Sequence, residues 1–549
     1  MGTSGRLSLS WVNKDKSLIS TQGGGYEWVD RDDIRVTETR LLRTVATVGE
    51  VHDDSKRAED NLLIVGDSGD ALRALTRLPE FAKKYRGKVK LVYIDPPFNT
   101  GQAFTHYDDG LEHSVWLTMM RDRLVLLRDL LAEDGSIWVH LDDAEAAYCK
   151  VMMDEIFGRS NFVTTFTWQK VDSPNDNKVS VTPDHEYIIC YTKTRNTQIR
   201  WSQMPDPSIL GAYNSVDESG RRYRDRLLKK NGKNSLREDR PTMWYELIDP
   251  DGGSVYPIHD DGREANWAAG KKKVDQLIAE GNLIWKKRPD GNGGLKWVPY
   301  TREWAPDAPS RPWPTIWTDV KTTRQAKRHL SELFPGATPF ATPKPEQLIE
   351  RVLMIASEPG DIVLDCFGGS GTAAAVAHKM ERRWVTVERE AYNVNTFIIP
   401  RLRKVVEGED SGGISESSGW EKGGGFRCLE IAPSMYERLG NRVLLAPWVT
   451  GDAFVEASCA QIPGFELEPG AEPPFVGRKG RQRLAVVDGL VSESAVQSIV
   501  EALDENERVL IVAKSYLREA ASLLEKLSPG SRIKKAPQDL LDMKGRVLR

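Results

Sequence analysis

Residues 91–101, Leu-Val-Tyr-Ile-Asp-Pro-Pro-Phe-Asn-Thr-Gly, are an apolar run that ends abruptly in two prolines. The run predicts a buried strand ending at Asp95, and the turn after it is stiff because Pro96 and Pro97 have a fixed φ and no backbone N–H. A carboxylate, a carbonyl and the ring of Phe98 are therefore held at the carboxyl end of a strand. This set can accept two hydrogen bonds from an exocyclic amino group while the ring stacks on the heterocycle. The alternative is a strand that ends in an ordinary Pro-Pro turn.

The composition of the 549-residue chain sets wide bounds on its class. The length suggests two to four domains, and a chain that is 40% hydrophobic and 28% charged should be mostly globular. No apolar run approaches the ~20 residues of a membrane span, and the first residues do not resemble a secretion signal. Five scattered cysteines without a CxxC pair predict a cytoplasmic protein without a bound metal. A net charge of −4 argues against wholesale coating of nucleic acid but leaves room for a local basic face.

Changes in periodicity divide the chain into regions. Residues 1–60 are polar and irregular and predict an N-terminal arm with little independent structure. Strands and helices alternate in residues 61–169 and again in 336–406, which predicts an α/β catalytic domain built from both segments. Residues 407–425 are rich in Gly and Ser and predict a flexible linker. Residues 426–549 predict a small separate α/β domain.

Residues 170–335 lose this periodicity and differ in composition. Eight of the sixteen tryptophans fall in this insert, with a ninth at its edge, and residues 221–240 carry nine basic against three acidic side chains. Basic side chains interleaved with aromatics suit contacts to phosphates and base edges, which predicts a DNA-binding insert. The alternative is a solvated charged face over a Trp-rich core. The candidate DNA contacts are Arg221, Arg222, Arg224, Lys229 and Lys230.

A second candidate site follows the strand predicted at 362–364. Residues 365–371, Asp-Cys-Phe-Gly-Gly-Ser-Gly, form a glycine-rich turn before an alanine-rich helix, and the next predicted strand ends at Glu388. Such a turn brings backbone N–H groups close to a ligand, and an acid ending the next strand can bind a ribose. The spacing fits neither a dinucleotide-binding GxGxxG nor a P-loop. The candidate cofactor-binding residues are Asp365, Cys366, Phe367, Gly369, Gly371 and Glu388.

The segment Asp95–Phe98 closely resembles motif IV of the amino-methyltransferases that methylate adenine N6 or cytosine N4 in DNA. The turn at 365–371 resembles motif I of S-adenosylmethionine-dependent methyltransferases, and Glu388 matches the motif II acid that bonds the ribose. Residues 342–346, Thr-Pro-Lys-Pro-Glu, resemble motif X, which contacts the methionine end of the cofactor. The resemblance therefore implies S-adenosylmethionine as cofactor. It adds two residues to the cofactor-binding candidates, Thr342 and Lys344.

The order of these pieces sharpens the resemblance. Catalytic segment, basic insert and cofactor turn follow one another as in the circularly permuted beta class of DNA amino-methyltransferases, over about residues 61–405. DPPFNTG (95–101), HLDDAE (140–145) and TPKPEQLIERVL (342–353) resemble the modification subunits of Type III restriction systems and their solitary relatives. The implied fold is a Rossmann-like α/β methyltransferase fold with an inserted target-recognition domain and a small C-terminal α/β domain.

The resemblance also assigns substrate contacts. Asp67 matches the motif III acid, which lies near the target amino group, and Asn99 follows the catalytic segment directly, so both are substrate-binding candidates. Asp95, where the cytosine enzymes more often have Ser, indicates adenine. Phe98 replaces the more frequent Tyr, which keeps stacking but loses any hydrogen bond from a Tyr hydroxyl.

We therefore expect a site-specific methyltransferase that acts on adenine N6 in duplex DNA after base flipping, in a restriction–modification or phage-defence setting. The expected partners are double-stranded DNA, a second copy of the chain and a separate restriction subunit, since no helicase or nuclease motif is visible. Two alternatives stay open. One is methylation of cytosine N4, and the other is a non-catalytic DNA-recognition subunit that guides a partner nuclease or helicase.

Overall fold

The computed structural model contains two compact units, residues 1–201 with 314–549, and residues 202–313. The quoted residues Thr100 and Gly101 lie outside the part of the chain that it describes. The described residues are 7–20, 25–52, 60–99, 103–104, 107–108, 112–172, 181–195, 201–290, 293–336, 338, 340–440, 442–462, 464–468, 470–471 and 473–544.

A ten-stranded sheet forms the centre of the first unit. Its strands, numbered along the chain, are β1 (Leu42–Gly49), β2 (Asn61–Val65), β3 (Val89–Ile94), β4 (Leu131–Leu141), β5 (Phe162–Gln169), β6 (His185–Thr192), β7 (Ile316–Trp317), β8 (Ile362–Asp365), β9 (Arg383–Glu388) and β10 (Gly425–Ile431). Their spatial order is β7-β5-β6-β4-β3-β8-β9-β2-β10-β1. Six neighbouring strands, β4, β3, β8, β9, β2 and β10, are parallel to one another. Strands β6 and β1 are antiparallel to their neighbours. Parallel strands are covered on both faces, which explains their continuous apolar runs.

Helices between the strands bury their apolar faces in one large core. The N-cap side chain of Asp67 starts the first long helix, and Gly371, at φ +76°, starts the helix after the glycine-rich turn. The helices of the first unit are Ile34–Thr37, Ser68–Arg77, Pro79–Tyr85, His113–Leu130, Ala146–Met153, Thr323–Leu333, Glu346–Ala356, Thr372–Lys379, Ala391–Asn393, Ile399–Glu407, Ser415–Ser418, Asp452–Ala460, Glu493–Glu501, Arg518–Leu527 and Gln538–Lys544.

Strands β3 and β8 come from distant parts of the chain but lie side by side. Val363 pairs with Leu91 and Leu364 pairs with Val92 in parallel register. The chain continues from β3 to β4 on one side and from β8 to β9 on the other. The strand order thus reverses between β3 and β8, and open α/β sheets bind ligands beyond the carboxyl ends at such a point. This is the Rossmann-like arrangement expected from the sequence, with its halves in permuted order.

The N-terminal region is more structured than expected. Residues 1–60 contain a hairpin, Lys16–Ser20 with Tyr26–Asp30, and edge strand β1, which pairs along its length with β10. Trp11 also donates from its indole Nε1 to Thr118 Oγ1 at 2.7 Å. The prediction of an arm with little structure was wrong because an edge strand needs only backbone partners, so its sequence carries no long apolar run.

The predicted flexible linker, residues 407–425, is an ordered part of the first unit. Asp410 and Ile414 are buried. Asp410 Oδ2 accepts a hydrogen bond from Lys379 Nζ at 2.6 Å, and the Ile414 N–H donates to Glu346 Oε2 at 2.9 Å. Gly and Ser composition describes the freedom of an isolated chain, and these long-range contacts override it.

The C-terminal region is not separate either. Its first strand, β10, belongs to the central sheet, and the rest forms a five-stranded sheet with its own helices. Leu484 and Leu510 on one face of that sheet belong to the large core, whereas Ala485 and Ile511 on the other face belong to a local core. The alternation along each strand thus joins the region to the catalytic core. The five strands are Glu466–Leu467, Phe475–Lys479, Gln482–Val491, Arg508–Tyr516 and Arg532–Lys535. A further hairpin comprises Tyr436–Leu439 and Arg442–Leu445.

The inserted unit is shorter than the predicted 170–335. Strands β6 and β7 fall within that range but pair in the central sheet, so the unit covers residues 202–313. Its main sheet has, in spatial order, the strands Ser215–Val216, Arg222–Leu227, Leu295–Trp304 and Leu283–Pro289. Its helix and smaller strand pairs are Lys271–Ala279, Met204–Pro205 with Ser310–Arg311, and Leu247–Ile248 with Ser254–Val255. A small core containing Trp267 and Val274 supports them.

None of the helices described in the structure has the length and apolar character needed to cross a bilayer.

Candidate active site at the carboxyl ends of the central strands

Asp95 directly follows β3 and offers one open acceptor at the crevice. Its Oδ2 lies 2.9 Å from Lys344 Nζ, whereas its buried Oδ1 has no hydrogen-bond partner among the described residues. The indole Nε1 of buried Trp116 donates to the Pro97 carbonyl at 2.6 Å, which fixes the Pro-Pro corner from the helix His113–Leu130. A buried acceptor without a partner is costly, so this oxygen indicates a ligand that donates a hydrogen bond.

The ring of Phe98 lies beside the same corner. Lys344 Nζ is 4.8 Å from the centre of the Phe98 ring, and the centre of the His140 ring is 6.0 Å from the centre of the Phe98 ring. An ammonium over an aromatic face is attracted by the ring quadrupole. Asp95 and Phe98 are therefore bridged by one cation.

A buried acid on β6, Glu186, lies on the other side of that cation. Its Oε2 is 3.5 Å from Lys344 Nζ. His140 Nε2 is 2.7 Å from the same oxygen but is not aligned for a hydrogen bond, and His140 Nδ1 is 2.7 Å from the Tyr93 hydroxyl. Burial raises the pKa of Glu186, but Lys344 and His140 outweigh it and hold that pKa well below its usual value. For Lys344, burial lowers the pKa, but the carboxylates of Asp95 and Glu186 outweigh burial and raise this pKa above its usual value.

Asn99 occupies a left-handed backbone conformation, at φ +60°. Its Nδ2 donates to Glu145 Oε1 at 2.7 Å, and His113 Nδ1 lies 2.9 Å from the same oxygen. Burial raises the pKa of Glu145 above its usual value. The structure thus uses the Asn99 amide to anchor the chain after Phe98, which differs from the expected substrate contact.

The glycine-rich turn after β8 is held by two acids. Asp365 Oδ1 accepts from the Phe367 N–H at 2.9 Å, and Glu388 Oε2, at the end of β9, accepts from the Gly369 N–H at 2.7 Å. Gly369 and Gly371 have φ of +53° and +76°, a region that residues with a Cβ rarely adopt. The turn therefore has a backbone that glycine adopts most readily, beside an acid at the end of the next strand.

The charges in the crevice favour a cation near this turn. Burial is the largest cause that raises the pKa of Asp365, and the carboxylates of Asp95 and Glu388 raise it further. The hydrogen bond from the Phe367 N–H lowers it, and the resulting pKa is about 8. Burial also raises the pKa of Glu388. Both amide atoms of buried Asn393, five residues after Glu388, lack a hydrogen-bond partner among the described residues. A nucleoside that carries a sulfonium, such as S-adenosylmethionine, fits this set of acids, open amide and glycine turn.

The motif X residues lie differently from expectation. The Lys344 carbonyl accepts from Thr372 Oγ1 at 3.3 Å, at the start of the helix after the turn, but the Lys344 side chain contacts Asp95 and Glu186. Thr342 is exposed. Cys366 is buried, and burial raises the pKa of its thiol. The predicted cofactor role of the Lys344 side chain is thus replaced by contacts with the catalytic segment.

Asp67 is not brought to Asp95. It caps the helix Ser68–Arg77, and its Oδ2 lies 2.9 Å from Arg123 Nη2. The Arg123 guanidinium and backbone N–H donors outweigh burial and lower the pKa of Asp67. Strands β8 and β9 separate β2 from β3, so Asp67 and Asp95 follow strands roughly 14 Å apart. The strand order therefore does not bring Asp67 next to Asp95, and its position near the target amino group stays a prediction.

A buried ion network holds motif X against the helix of the glycine turn. Lys379 Nζ lies 2.8 Å from Glu346 Oε2 and 2.6 Å from Asp410 Oδ2, and Arg401 Nη2 lies 2.8 Å from Glu346 Oε1. With His329 these acids are the one potential metal-ligand group in the described part of the chain. Lys379 and Arg401 together balance the two carboxylates, so the network is a structural clamp.

The structure divides the five predicted DNA contacts. Arg221 and Arg222 are exposed, and the Arg221 guanidinium lies 4.6 Å from the Trp304 ring centre. By contrast, Arg224 Nε donates to Glu303 Oε2 at 2.8 Å, and Lys229 Nζ donates to a backbone carbonyl at 2.9 Å. Lys230 is half-buried. Arg224 and Lys229 thus stabilise the inserted unit itself, as the solvated-face alternative allowed.

Cations lie against aromatic rings along the main sheet of the inserted unit. The distances from the cation to the ring centre are 3.9 to 5.0 Å. The pairs are Arg221 with Trp304, Arg224 with Tyr213, Lys286 with Tyr300, Lys287 with Trp297, and Arg302 with Tyr223. The interleaving seen in the sequence is therefore also present in space.

Sequence reasoning gave no role to Glu186, Glu145 or Asn393. Glu145 ends the quoted segment 140–145, and for Glu186 the available signal was an acid inside an otherwise apolar strand. Such an acid is buried only with a partner or a ligand. The partner of Glu186 comes from residue 344, which no local pattern links to β6.

Comparison with known proteins agrees with this geometry. A model of the DNA methylase family matches residues 89–398. The protein named "Probable type III restriction-modification enzyme HindVI Mod subunit", from Haemophilus influenzae, is 31% identical over 433 residues, or 70% of this chain and 56% of that protein. The EcoPI Mod subunit of Escherichia phage P1 is 28% identical over 432 residues, or 68% of this chain and 64% of that protein. The chain thus spans less than two thirds of the length of these relatives.

The solved structure of the cytosine-N4-specific PvuII DNA methyltransferase is also similar, with 15% identity and a TM-score of 0.32, covering 66% of this chain and 90% of that one. A likeness at this TM-score supports no conclusion about the substrate. The resemblance to modification subunits that the motifs indicated is confirmed by the two relatives. Because the family model matches more than half of its length, the chain belongs to the DNA methylase family.

Proposed function

We propose that the protein is a site-specific DNA methyltransferase that moves a methyl group from S-adenosylmethionine to adenine N6 in duplex DNA. One observation carries the proposal. Asp95, with its open Oδ1, ends the strand directly beside the one that leads into the glycine turn, so an acceptor for an amino group and a turn suited to a cationic nucleoside share one crevice. The Asp at the first position of the motif supports adenine over cytosine.

The chain's own groups act on the amino nitrogen. An exocyclic nitrogen is a poor nucleophile because its lone pair is delocalised into the ring. When Asp95 and the Pro96 carbonyl accept its two N–H bonds, the nitrogen becomes more tetrahedral and its lone pair is free to attack. Phe98 stacks on the base and sets its plane. Positioning and preorganised acceptors, rather than a covalent intermediate, then account for the rate.

The residues of the glycine turn would hold the cofactor. When bound, S-adenosylmethionine supplies an electrophilic methyl group on a positively charged sulfur. Glu388 would bind the ribose hydroxyls, and the backbone between Gly369 and Gly371 would lie against the nucleoside. The carboxylates of Asp95 and Asp365 would stabilise the positive charge. Buried Cys366 would contribute packing rather than a nucleophile, since burial raises the pKa of its thiol.

The target base must first leave the duplex. Flipping costs a few kcal/mol, and stacking on an aromatic ring such as Phe98 offsets roughly 1–3 kcal/mol. The exposed guanidinium groups of Arg221 and Arg222 would contact phosphates and orient the duplex. These contacts are the proposed basis of duplex binding by the inserted unit.

We also propose that the protein acts as a homodimer and with a separate restriction subunit that carries helicase or nuclease activity. The names of the relatives, which are subunits of restriction–modification enzymes, support the partner subunit, whereas the homodimer rests on the expectation from the sequence alone. Light scattering on the purified full chain tests the dimer, which has twice the 61.6 kDa mass of the chain. A mass of one chain at micromolar concentration would contradict it.

The test of the main proposal is transfer of a labelled methyl group from S-adenosylmethionine to duplex DNA, followed by digestion to nucleosides and mass spectrometry. The expected product is N6-methyladenine within one sequence context. If the product is N4-methylcytosine, the substrate is cytosine and not adenine. Absence of any label in DNA that the protein binds would instead favour a non-catalytic recognition subunit.

A further inference from the structure

The Lys344 ammonium occupies the part of the crevice that a target base needs. Its Nζ lies 2.9 Å from Asp95 Oδ2 and 4.8 Å from the centre of the Phe98 ring. The proposed function assigns that carboxylate to the amino group and that ring face to the base. Lys344 is itself only 8% exposed, so the contact is not a surface ion pair. One buried cation therefore covers both groups.

Glu186 offers the ammonium a second place. Its Oε2 is already 3.5 Å from Lys344 Nζ, so a side-chain rotation that takes the ammonium off the Phe98 ring can bring it to full hydrogen-bonding distance of this oxygen. The same oxygen makes no aligned hydrogen bond to a described residue, although His140 lies 2.7 Å away. Glu186 is buried and ionised, since neighbouring positive charge holds its pKa low. The two carboxylates thus lie on either side of one ammonium.

The backbone at Lys344 is held, so the movement involves the side chain alone. Pro343 and Pro345 flank the residue, and the Lys344 carbonyl accepts from Thr372 Oγ1. Glu346, two residues later, is fully buried in ion pairs with Lys379 and Arg401. A four-carbon side chain on a fixed backbone can transfer its charge between acceptors without moving the fold.

We propose that Lys344 is a placeholder in the base pocket, and that its ammonium moves from Asp95 and Phe98 to Glu186 when the target base enters. The inference rests on the proposed function, because a base that donates to Asp95 Oδ1 must also stack on the Phe98 face that the ammonium now covers. The buried charge keeps a carboxylate partner in both positions, which avoids the large cost of an unpaired buried ion. Lys344 and Glu186 are then positioning residues that keep the empty pocket satisfied and open it to a base.

The test is a pair of variants with opposite predictions for a placeholder and for an ordinary structural ion pair. Glu186→Gln weakens the second place, so the ammonium stays on Asp95, and we expect the single-turnover methylation rate to fall on the order of tenfold. Adding Lys344→Met removes the obstructing charge, so the double variant should recover most of that rate. A structural pair predicts a double variant that is as slow as Glu186→Gln or slower.

Lys170→Met is the matched control. Lys170 Nζ lies 3.3 Å from Glu186 Oε1, so this change also removes a positive charge from Glu186. Among the described residues it contacts neither Asp95 nor Phe98, and we expect a much smaller effect than that of Glu186→Gln. Thermal melting and calorimetric binding of S-adenosylmethionine establish that each variant is folded and binds the donor.

Three results would overturn the placeholder. These are a wild-type rate in Glu186→Gln, no recovery in the double variant, or an equal loss in Lys170→Met. If Glu186→Gln does not fold, Lys344→Met alone decides by its affinity for target duplex without donor. Loss of a positive charge ordinarily weakens DNA binding, whereas removal of a placeholder strengthens binding of the target-containing duplex. A wild-type protein that methylates no DNA would refute the proposed function instead, and this duplex-binding comparison remains measurable in that case.

Discussion

Charged side chains are held in two different ways in the two units. In the crevice of the first unit the buried Lys344 ammonium lies within 3.5 Å of two carboxylates on different strands. In the inserted unit Arg221 and Arg222 are exposed, and Arg302 lies 3.9 Å from the ring of Tyr223. The first arrangement demands exact positions, because a buried charge without its partner is costly. The second tolerates movement, because exposed cations act through a screened field.

The comparison teaches that substitutions in the two units should differ in kind. A change in the crevice should impair one step, either methyl transfer or donor binding, and leave the other steps intact. Changes in the inserted unit should each lower DNA affinity by a small amount, and these amounts should add. Methyl transfer, donor binding and duplex binding, measured separately, distinguish the two patterns.

The largest effect is expected from Asp95→Ala. It removes the open acceptor and should lower the rate of methyl transfer by about 10²- to 10³-fold, as for loss of a preorganised transition-state partner. The donor's dissociation constant should change far less, because Glu388 and the glycine turn remain. Labelled-methyl transfer and calorimetry measure the two quantities. Asp504→Asn, which changes an exposed acid in the turn before the strand Arg508–Tyr516, is the control, and a full rate in Asp95→Ala would remove Asp95 from the site.

Glu388→Ala should act on donor binding. The side chain fixes the Gly369 N–H at 2.7 Å and would bind the ribose, so its loss should raise the donor's dissociation constant about 10- to 100-fold. Calorimetry with S-adenosylmethionine measures the change. Glu390→Ala, two residues later and about half-exposed, removes the same charge from the same segment but keeps Glu388, and it should bind the donor normally. Equal losses in both variants would contradict a specific role.

Donor affinity should depend on pH through Asp365. Its pKa is raised to about 8 in the folded protein from an ordinary value of 3.8, so the carboxyl is protonated at neutral pH and ionises as pH rises through 8. A cationic donor prefers the ionised form, so affinity should rise from about pH 6 to 9, by at most about tenfold per pH unit. Asp365→Asn should flatten this rise. The neutral thioether product should show a smaller dependence, and an equal slope for both ligands would contradict the assignment.

The same raised pKa has a consequence for folding. The unfolded chain releases the Asp365 proton near pH 4, whereas the folded protein keeps it until about pH 8. Between these values the folded state binds more protons, so the Asp365 contribution to stability decreases as pH rises. Saturation with the donor should reduce that loss.

The smallest effects are expected from Arg221→Ala and Arg222→Ala. Each should weaken duplex binding similarly for all sequences and reduce the dependence of log affinity on log salt by about one unit, as for one lost phosphate contact. Fluorescence anisotropy across a salt series measures both values. Arg263→Ala, whose guanidinium already pairs with Asp261 at 2.7 Å, is the control. A single variant that abolished binding would contradict the graded pattern of the inserted unit.

Local sequence predicted much of the fold because strands and helices of a buried α/β sheet carry strong periodicity. The strands Val89–Ile94 and Ile362–Asp365 lie where the apolar patterns placed them. Edge strand β1 and the ordered segment around Asp410 were missed, because their order comes from backbone pairing and from ion pairs with distant residues. Composition indicates how an isolated segment behaves, whereas these segments are stabilised by contacts with distant parts of the chain.

The site shows the same division. The Asp95 corner and the glycine turn are short-range motifs whose backbone geometry follows from prolines and glycines in sequence. The neighbours of Lys344 are not local, since β3, β6 and the segment before Glu346 meet only in the folded sheet. Asp67 shows the same limit, because an intact motif does not reveal that two strands lie between it and Asp95.

The amino-acid sequence by itself determined the chemistry of this protein: a stiff acidic corner with an aromatic ring, a turn that only glycine can form, and their permuted order along the chain. Only the tertiary structure decided that β3 and β8 lie side by side, that Lys344 bridges Asp95 and Glu186, and that Asp67 caps a helix. The reason is physical. Turn geometry depends on residues a few positions apart, whereas contacts between strands depend on which buried surfaces and charges satisfy one another across the whole chain.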